Sequence, residues 1–332
     1  MNVGRSTADG KEYVVAVDLG GTPFRVALTD LSGRMLDRTS ELTQADAGLE
    51  RVVGRISDAV LRIAAPVGLT SLLGVGVGAP GPLNPRTGIL YTPPNLPGWR
   101  DVPLRRILEE RFGVPVFVGN DANLGALGEH RFGAGRGVDD LVYVTVSTGI
   151  GGGVIEDGRL LLGANGLAAE VGHMVLVVDG PQCSCGNCGC LEALASGPSI
   201  AREAKERIAA GAKTKITDLV QGHVDQINAE VVVEAARSGD PLAQEVMARA
   251  AKYLGIGMLN LVNLFNPKLI AIGGGVSNAE DLILEPIRRI VAQKAMPDFL
   301  RDLRIVRSQL GDDVGLLGAV ALVLNEAGAL KA

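Results

Sequence analysis

Short apolar runs alternate with glycine turns along the chain, and one such arrangement occurs twice. Residues 14–19 form an apolar strand pattern, followed by Gly20-Gly21-Thr22, a second strand pattern at 25–28, a turn at Ser32-Gly33 and a third strand pattern from Arg34. Residues 142–146 begin the same order again, with Ser147-Thr148-Gly149-Ile150-Gly151-Gly152-Gly153, a strand pattern at 154–155, a turn at Asp157-Gly158 and a strand pattern from Arg159. The repeated order predicts two related halves.

Longer segments with helical spacing lie between the strand patterns. Residues 49–64 form one of them, and residues 242–264 place an apolar stripe on one helical face, at Leu242, Val246, Ala250, Leu254, Met258 and Val262. Helices interleaved with apolar strands predict an α/β fold. A chain of 332 residues is long enough for two domains with substantial cores.

A third glycine turn, Gly273-Gly274-Gly275, follows the apolar strand pattern at 269–272. Glycine turns let backbone N–H groups approach phosphate oxygens, and the hydroxyls of Thr22, Ser147 and Thr148 can donate as well. One such turn is commonly a structural connector, but three in one chain, two of them in matching context, predict phosphate binding. None is followed by Gly-Lys-Ser/Thr, so none is a Walker sequence.

Two polar residues, Asn120 and Asp121, follow the apolar strand pattern at 116–118. Ligands of open α/β sheets bind at the carboxyl ends of strands. An aspartate there is often a helix cap, but beside three phosphate turns a catalytic role is the stronger interpretation. Proline-rich loops at 78–85 and 91–99 precede this strand, and they are either structural punctuation or part of a site.

All four cysteines lie between Glu170 and Glu192, at Cys183, Cys185, Cys188 and Cys190, with His173 upstream of them. Three thiolates and one imidazole complete a tetrahedral zinc site. Two disulfides or unconnected thiols are the alternatives, but no secretion signal accompanies the cysteines, which favours a metal in a reducing compartment. The two flanking carboxylates suit a hydrogen-bonding pocket better than a structural zinc.

The composition narrows the classes of partner. Hydrophobic residues make up 47% and charged residues 21%, as in ordinary soluble proteins, and the net charge of −5 gives no basic surface for nucleic acid or anionic lipid. Residues 1–13 lack the apolar core of a signal peptide, and the apolar run 254–265 is too short to span a bilayer. We therefore expect a cytoplasmic protein that binds small molecules, not nucleic acid or membrane.

Together these motifs resemble the ROK family of sugar kinases, open reading frames and repressors, within the actin-like ATPase superfamily. The resemblance covers nearly the whole chain and is carried by Asp18-Leu-Gly-Gly-Thr22, Gly119-Asn-Asp-Ala-Asn123, Ser147-Thr-Gly-Ile-Gly-Gly-Gly153, Glu170-Val-Gly-His173, Cys183-Ser-Cys-Gly-Asn-Cys-Gly-Cys-Leu-Glu192 and Ile272-Gly-Gly-Gly275. It implies an α/β fold of the actin-like, ribonuclease H-like type, with two domains hinged over a central cleft. We predict a small domain at 1–119, completed by a C-terminal helix at about 314–332, and a large domain at 120–313 with a zinc loop at 173–190.

The resemblance also implies ligands: ATP and Mg²⁺ on one side of the cleft and a hexose on the other. Residues expected to line the sugar site are Asn120, Asp121, Glu170, His173 and Glu192, and we add Asn95 at the C3 side of the ring. Residues expected to hold the nucleotide and its Mg²⁺ are Asp18, Gly20, Gly21, Thr22, Thr148, Gly149, Gly274 and Gly275. Structural zinc is assigned to His173, Cys183, Cys185 and Cys190. His173 would use its other ring nitrogen for a sugar hydroxyl.

Three positions depart from the family pattern. Pro23 and Phe24 follow the first turn where sugar kinases of this family often have Lys-Ile. Ala169 replaces a glycine that is common before the Glu-x-Gly-His motif, and Cys188 adds a thiol in a variable position. None of these changes removes a residue with a predicted chemical role.

The leading interpretation is an ATP-dependent hexokinase of the glucokinase type, forming glucose 6-phosphate. Asp121 is the expected general base, and positioning with charge neutralisation carries most of a phosphoryl transfer. Kinases of N-acetylmannosamine, N-acetylglucosamine or fructose are alternatives, and so are a sugar-responsive repressor and an inactive binding module. Only about a dozen residues precede the first strand, which counts against a helix-turn-helix repressor. ADP and polyphosphate stay open as donors, and a homodimer or homotetramer is expected.

Overall fold

The computed structural model describes residues 10–329, and strands alternate with helices along them. The strands are β1 (Tyr13–Leu19), β2 (Pro23–Asp30), β3 (Met35–Leu42), β4 (Leu72–Ala79), β5 (Leu83–Asn84), β6 (Ile89–Leu90), β7 (Val102–Pro103), β8 (Val116–Asn120), β9 (Leu141–Val146), β10 (Ile150–Glu156), β11 (Arg159–Leu160), β12 (Leu269–Gly273) and β13 (Arg304–Arg307). The helices are α1 (Leu49–Ala64), α2 (Leu104–Phe112), α3 (Asp121–Phe132), α4 (Leu191–Ala195), α5 (Gly197–Ala209), α6 (Ile216–Leu219), α7 (Ala229–Arg237), α8 (Pro241–Phe265), α9 (Leu284–Lys294) and α10 (Val314–Ala329). The α/β fold predicted from the sequence is confirmed.

Two five-stranded mixed sheets share one plan. Their strand orders are β3-β2-β1-β4-β8 and β11-β10-β9-β12-β13. In each sheet the central strand, β1 or β9, pairs antiparallel with the next strand of the chain and parallel with a later one. The repeat seen in the sequence therefore corresponds to two sheets of matching topology. A small antiparallel sheet, β5-β6-β7, is built from the proline-rich region.

The chain divides into two compact units. The first contains the described residues of Met1–Gly137, Leu160–Ala168 and Asp312–Ala332, and the second contains Val138–Arg159 and Ala169–Gly311. Helix α10 belongs to the first unit, although it lies at the far end of the sequence from β1. The domain boundaries after residues 119 and 313 stay a prediction.

Helix α8 illustrates how local sequence sets an element's ends. The Asp240 carboxylate accepts a hydrogen bond from the Ala243 N–H at 2.8 Å, and Pro241 occupies the first helical position. The helix ends where Asn266 takes a left-handed conformation, with φ 44°. The apolar stripe predicted for this helix is buried at all of its six positions. Within residues 10–329, no helix is both long enough and apolar enough to cross a membrane.

One predicted turn is shorter in the structure than in the sequence pattern. Residues 151–153 were expected to continue the second glycine turn, but they lie inside strand β10 and pair with β9. The reason is close packing on that strand: a Cβ on Gly152 would lie 2.7 Å from the Val171 side chain. Gly152 thus serves strand packing, and the turn itself comprises Ser147, Thr148 and Gly149.

Candidate active site

In the first unit, strand β1 presents the Asp18 carboxylate just before the first glycine turn. Arg25 is its partner in the β1–β2 register, and the Arg25 Nε donates to Asp18 Oδ2 at 3.1 Å, joined there by Nη2. A Cβ on Gly315, near the start of α10, would lie 2.9 Å from the Asp18 carboxyl carbon. Asp18 therefore has a fixed orientation. The sequence did not predict its ion pair with Arg25.

The first glycine turn lies directly against the second proline-rich loop. A Cβ added to Gly21 would lie 2.9 Å from the Cβ of Asn95, so only glycine allows this contact. Trp99 is 3% exposed and anchors the loop in the core of the first unit. The structure thus brings Asn95, a predicted sugar residue, next to the turn predicted to bind phosphate.

Asn120 and Asp121 lie where strand β8 ends and helix α3 begins. Asn120 is the helix cap: its Oδ1 accepts from the backbone N–H groups of Ala122 at 3.0 Å and Asn123 at 3.3 Å. Asp121 is the first residue of the helix and is exposed, with Oδ1 2.7 Å from the Ala122 N–H. Because the cap uses the Asn120 oxygen, the Asn120 amide nitrogen is the atom suited to a ligand hydroxyl.

In the second unit, the other two glycine turns meet at the end of strand β9. The Ser147 N–H donates to the Gly149 carbonyl at 2.8 Å, which closes the short turn. Gly274 has φ 83°, and a Cβ there would lie 2.3 Å from the Val146 carbonyl oxygen. Only glycine allows this close approach to the end of strand β9.

A cavity of about 920 Å³ opens beside these two turns, entirely within the second unit. Thr148 and Gly275 form one part of its wall, and helices α5 and α7 supply most of the rest. Its lining includes apolar residues and several charged ones, namely Ala201, Ile227, Val233, Val276, Arg202, Lys205, Glu206, Glu230, Glu234 and Arg237. The sequence did not predict the α5 and α7 contribution, because no motif marks it.

Glu192 connects the second glycine turn to the cysteine segment. Its Oε2 accepts a hydrogen bond from the Ile150 N–H at 2.9 Å, and a Cβ on Gly149 would lie 2.6 Å from the same oxygen. Its Oε1 lies 3.4 Å from the Ser184 hydroxyl and 3.9 Å from the Cys183 sulfur. One carboxylate oxygen is therefore committed to the backbone, and the other faces the cysteine segment.

The Glu170-Val-Gly-His173 motif forms a single 3₁₀ turn, in which the His173 N–H donates to the Glu170 carbonyl at 3.0 Å. A Cβ on Gly172 would lie 1.9 Å from the Ile150 carbonyl oxygen, which explains the glycine. Desolvation raises the pKa of the Glu170 carboxyl above its usual range; His173 opposes this shift and the negative charge of Glu192 adds to it. Glu170, His173 and Glu192 therefore form one electrostatic group.

His173, Cys183, Cys185 and Cys190 place their ligand atoms within 4.8 Å of one another. The Cys183 sulfur lies 3.7 Å from His173 Nδ1, and the sulfurs of Cys185 and Cys190 are 3.6 Å apart. Tetrahedral zinc with bonds of about 2.3 Å to sulfur has ligand edges of roughly 3.8 Å, so this donor set fits the metal. Burial and the neighbouring thiols raise the pKa of Cys190 to about 12, so this thiol would release a proton when it binds a metal at neutral pH.

The fourth cysteine lies outside this group. The Cys188 sulfur is 3.4 Å from the Gln182 side-chain oxygen, and the cluster of possible metal ligands found in residues 10–329 does not include it. The four ligands expected from the resemblance are thus the ones that the structure brings together.

Comparison with known proteins identifies the family. The ROK family model matches residues 14–326, and the chain therefore belongs to the ROK family. It is 39% identical to a glucokinase of Thermotoga maritima, covering 96% of this chain and 99% of that protein. It is also 33% identical to a xylose repressor of Caldicellulosiruptor bescii, covering 94% of this chain and 78% of the repressor.

Among solved structures, a ROK family glucokinase from Streptomyces griseus in complex with glucose and AMPPNP superimposes with a TM-score of 0.81. It is 37% identical and the match covers 94% of this chain and 99% of that one. The actin-like α/β fold expected from the sequence is confirmed. Because kinases and repressors are both relatives, membership in the family does not by itself decide between them.

Proposed function

We propose that the protein transfers the γ-phosphoryl group of ATP to the 6-hydroxyl of a hexose, most efficiently D-glucose. The observation that carries this proposal is the exposed carboxylate of Asp121, which directly follows β8 beside the helix-capping Asn120. A base at that position can accept the proton of a sugar hydroxyl as it attacks phosphorus. The similarity to glucokinases of known name, over nearly full length, supports the same function.

The first unit would supply the base and part of the phosphate contacts. Asp121 would accept the 6-hydroxyl proton, and the Asn120 amide nitrogen would hold a neighbouring hydroxyl, because its oxygen caps α3. The backbone of Gly20 and Gly21 and the hydroxyl of Thr22 would contact the donor phosphates. Asp18 would hold Mg²⁺ through water, and the metal would neutralise phosphate charge during transfer.

The second unit would hold the nucleoside and the other hydroxyls of the sugar. The cavity beside Thr148 and Gly275 is large enough for a nucleoside, which favours ATP or ADP over polyphosphate as donor. Glu170, Glu192 and the second ring nitrogen of His173 would contact hydroxyls near the anomeric carbon. Asn95 of the first unit would contact the C3 side.

Structural zinc would be held by His173, Cys183, Cys185 and Cys190. It would fix the orientation of His173 and stabilise the segment that leads to Glu192, without entering the chemistry. A cytoplasmic location and a homodimeric or homotetrameric state stay predictions.

The test is an ADP-release assay with glucose, mannose, fructose, N-acetylglucosamine and N-acetylmannosamine as acceptors. A ring of polar groups that the bound sugar covers would favour a pyranose, since an acceptor left unpaired on binding costs about 1–3 kcal/mol. We expect the highest catalytic efficiency with D-glucose, weaker activity with mannose and poor activity with fructose. Higher catalytic efficiency with N-acetylmannosamine or fructose than with D-glucose would reject the glucokinase assignment but not the sugar-kinase assignment. Sugar binding without ADP release from any acceptor would favour the repressor-like alternative.

A further inference from the structure

The first glycine turn lacks a hydrogen bond that its geometry calls for. In the β1–β2 register Leu19 pairs with Phe24, so the next pair is Gly20 with Pro23. The Gly20 N–H donates to the Pro23 carbonyl at 3.1 Å, as in a hydrogen-bonded antiparallel pair. Such a pair normally exchanges two hydrogen bonds, but proline has no N–H. The Gly20 carbonyl is therefore without its cross-strand donor.

Thr43 supplies that donor from the end of the neighbouring strand β3. Its hydroxyl donates to the Gly20 carbonyl at 2.7 Å, and its backbone N–H donates to the Thr22 carbonyl at 2.6 Å. Thr43 is 0% exposed, and the left-handed conformation of Gln44, with φ 53°, turns the chain away immediately after it. Thr43 thus holds the turn at both of its ends.

We propose that Thr43 is a positioning residue for the donor phosphates and that its hydroxyl replaces the hydrogen bond that Pro23 cannot make. The Gly20 carbonyl and the Gly21 N–H belong to one planar peptide and point in opposite directions. Fixing the carbonyl on Thr43 therefore directs the Gly21 N–H to the other side of the turn. This inference rests on the proposed function, in which that N–H contacts phosphate.

The substitution T43V removes the hydroxyl while keeping the shape of the side chain. It leaves the partly buried Gly20 carbonyl without this donor, so the peptide loses its fixed orientation, and we expect roughly tenfold lower kcat/KM for ATP. The KM for glucose should change less than twofold. T43S, which keeps the hydroxyl, should stay within about threefold of wild type.

Two further variants separate positioning from general stability. Thr29 is also 0% exposed, and its hydroxyl donates to the Val14 carbonyl at 3.3 Å in the same sheet, so T29V is the matched control. P23A restores an N–H opposite Gly20. The kcat/KM for ATP of the double variant P23A/T43V should therefore lie within about threefold of that of P23A alone. Thermal unfolding of each variant checks that all of them fold.

The proposal is overturned if T43V and T29V have the same kcat/KM for ATP, or if T43V lowers kcat/KM for glucose and for ATP equally. It is also overturned if P23A does not restore the kcat/KM for ATP in the P23A/T43V double variant. Calorimetric titration with AMPPNP decides the same question without turnover: about tenfold weaker binding by T43V supports the proposal, and unchanged binding overturns it. A wild-type protein that phosphorylates no hexose would reject the proposed function, whereas the AMPPNP comparison would still test Thr43.

Discussion

The carboxylate of Glu192 accepts a hydrogen bond from the backbone N–H of Ile150 at 2.9 Å, which ties the cysteine segment to the second glycine turn. Glu192 follows Cys190 by two residues, and Ile150 follows the turn residues Thr148 and Gly149 directly. We therefore expect a change at the proposed zinc site to affect the turn that lies beside the cavity. The proposed zinc site would support nucleotide binding as well as sugar binding.

Removal of zinc should weaken the binding of glucose and of AMPPNP before the protein unfolds. We expect one zinc per chain in protein purified without added metal, and chelation should lower the affinity for glucose and for AMPPNP by about tenfold or more. Elemental analysis, calorimetry and far-ultraviolet circular dichroism measure the three quantities. Full ligand affinity in metal-free protein would contradict the assigned role.

Cys185 and Cys188 provide a matched pair for the ligand assignment. They are three residues apart in one loop, but only Cys185 belongs to the four-residue cluster. We expect C185S to lose most of the bound zinc and C188S to keep one zinc per chain. Equal zinc content in the two variants would show that the ligand set is wrong.

Replacement of Asp121 by asparagine should remove the general base and leave sugar binding nearly intact. Loss of a positioned base costs about 10²- to 10⁴-fold in turnover, whereas an amide of the same shape still forms hydrogen bonds with a hydroxyl. D58N, at an exposed position of α1, is the control and should turn over like wild type. Near wild-type kcat in D121N would remove Asp121 from the mechanism.

The stability contributed by Asp240 should depend on pH. Burial alone would raise the pKa of this carboxyl, but hydrogen bonds from the Ala243 and Lys215 N–H groups and the Thr214 hydroxyl lower it below its usual value. A lowered folded-state pKa means that the contribution is complete above the unfolded pKa near 3.9 and is lost as pH falls through the folded value.

D240N should therefore cost about 1–2 kcal/mol of unfolding free energy at pH 7, and the difference from wild type should shrink below about pH 4. Urea unfolding at pH 7, 5 and 3.5 measures this difference, with D218N at an exposed position of α6 as control. A difference between D240N and wild type that stays constant with pH would disprove the linkage.

Local sequence patterns predict those features of this protein that are set by residues close together in the sequence. The ends of α8 coincide with Asp240, Pro241 and Asn266, which are typical helix-end residues, and the resemblance of the cysteine segment to the ROK family pattern implies the four zinc ligands. Contacts between distant segments leave no such trace. Thr43 approaches the turn only because β3 pairs with β2, and the cavity wall depends on how α5 and α7 pack.

Ala169 holds a conformation that favours glycine, at the position where glycine is common in this family. Its φ is 66°, and a left-handed conformation costs an L-residue about 1–2 kcal/mol, partly offset by the greater chain entropy of glycine in the unfolded state. We expect A169G to stabilise the protein by about 0.5–1 kcal/mol in urea unfolding, without changing zinc content. A168G, at a neighbour without positive φ, should destabilise it. Destabilisation by A169G as large as that by A168G would mean that the left-handed residue carries no strain.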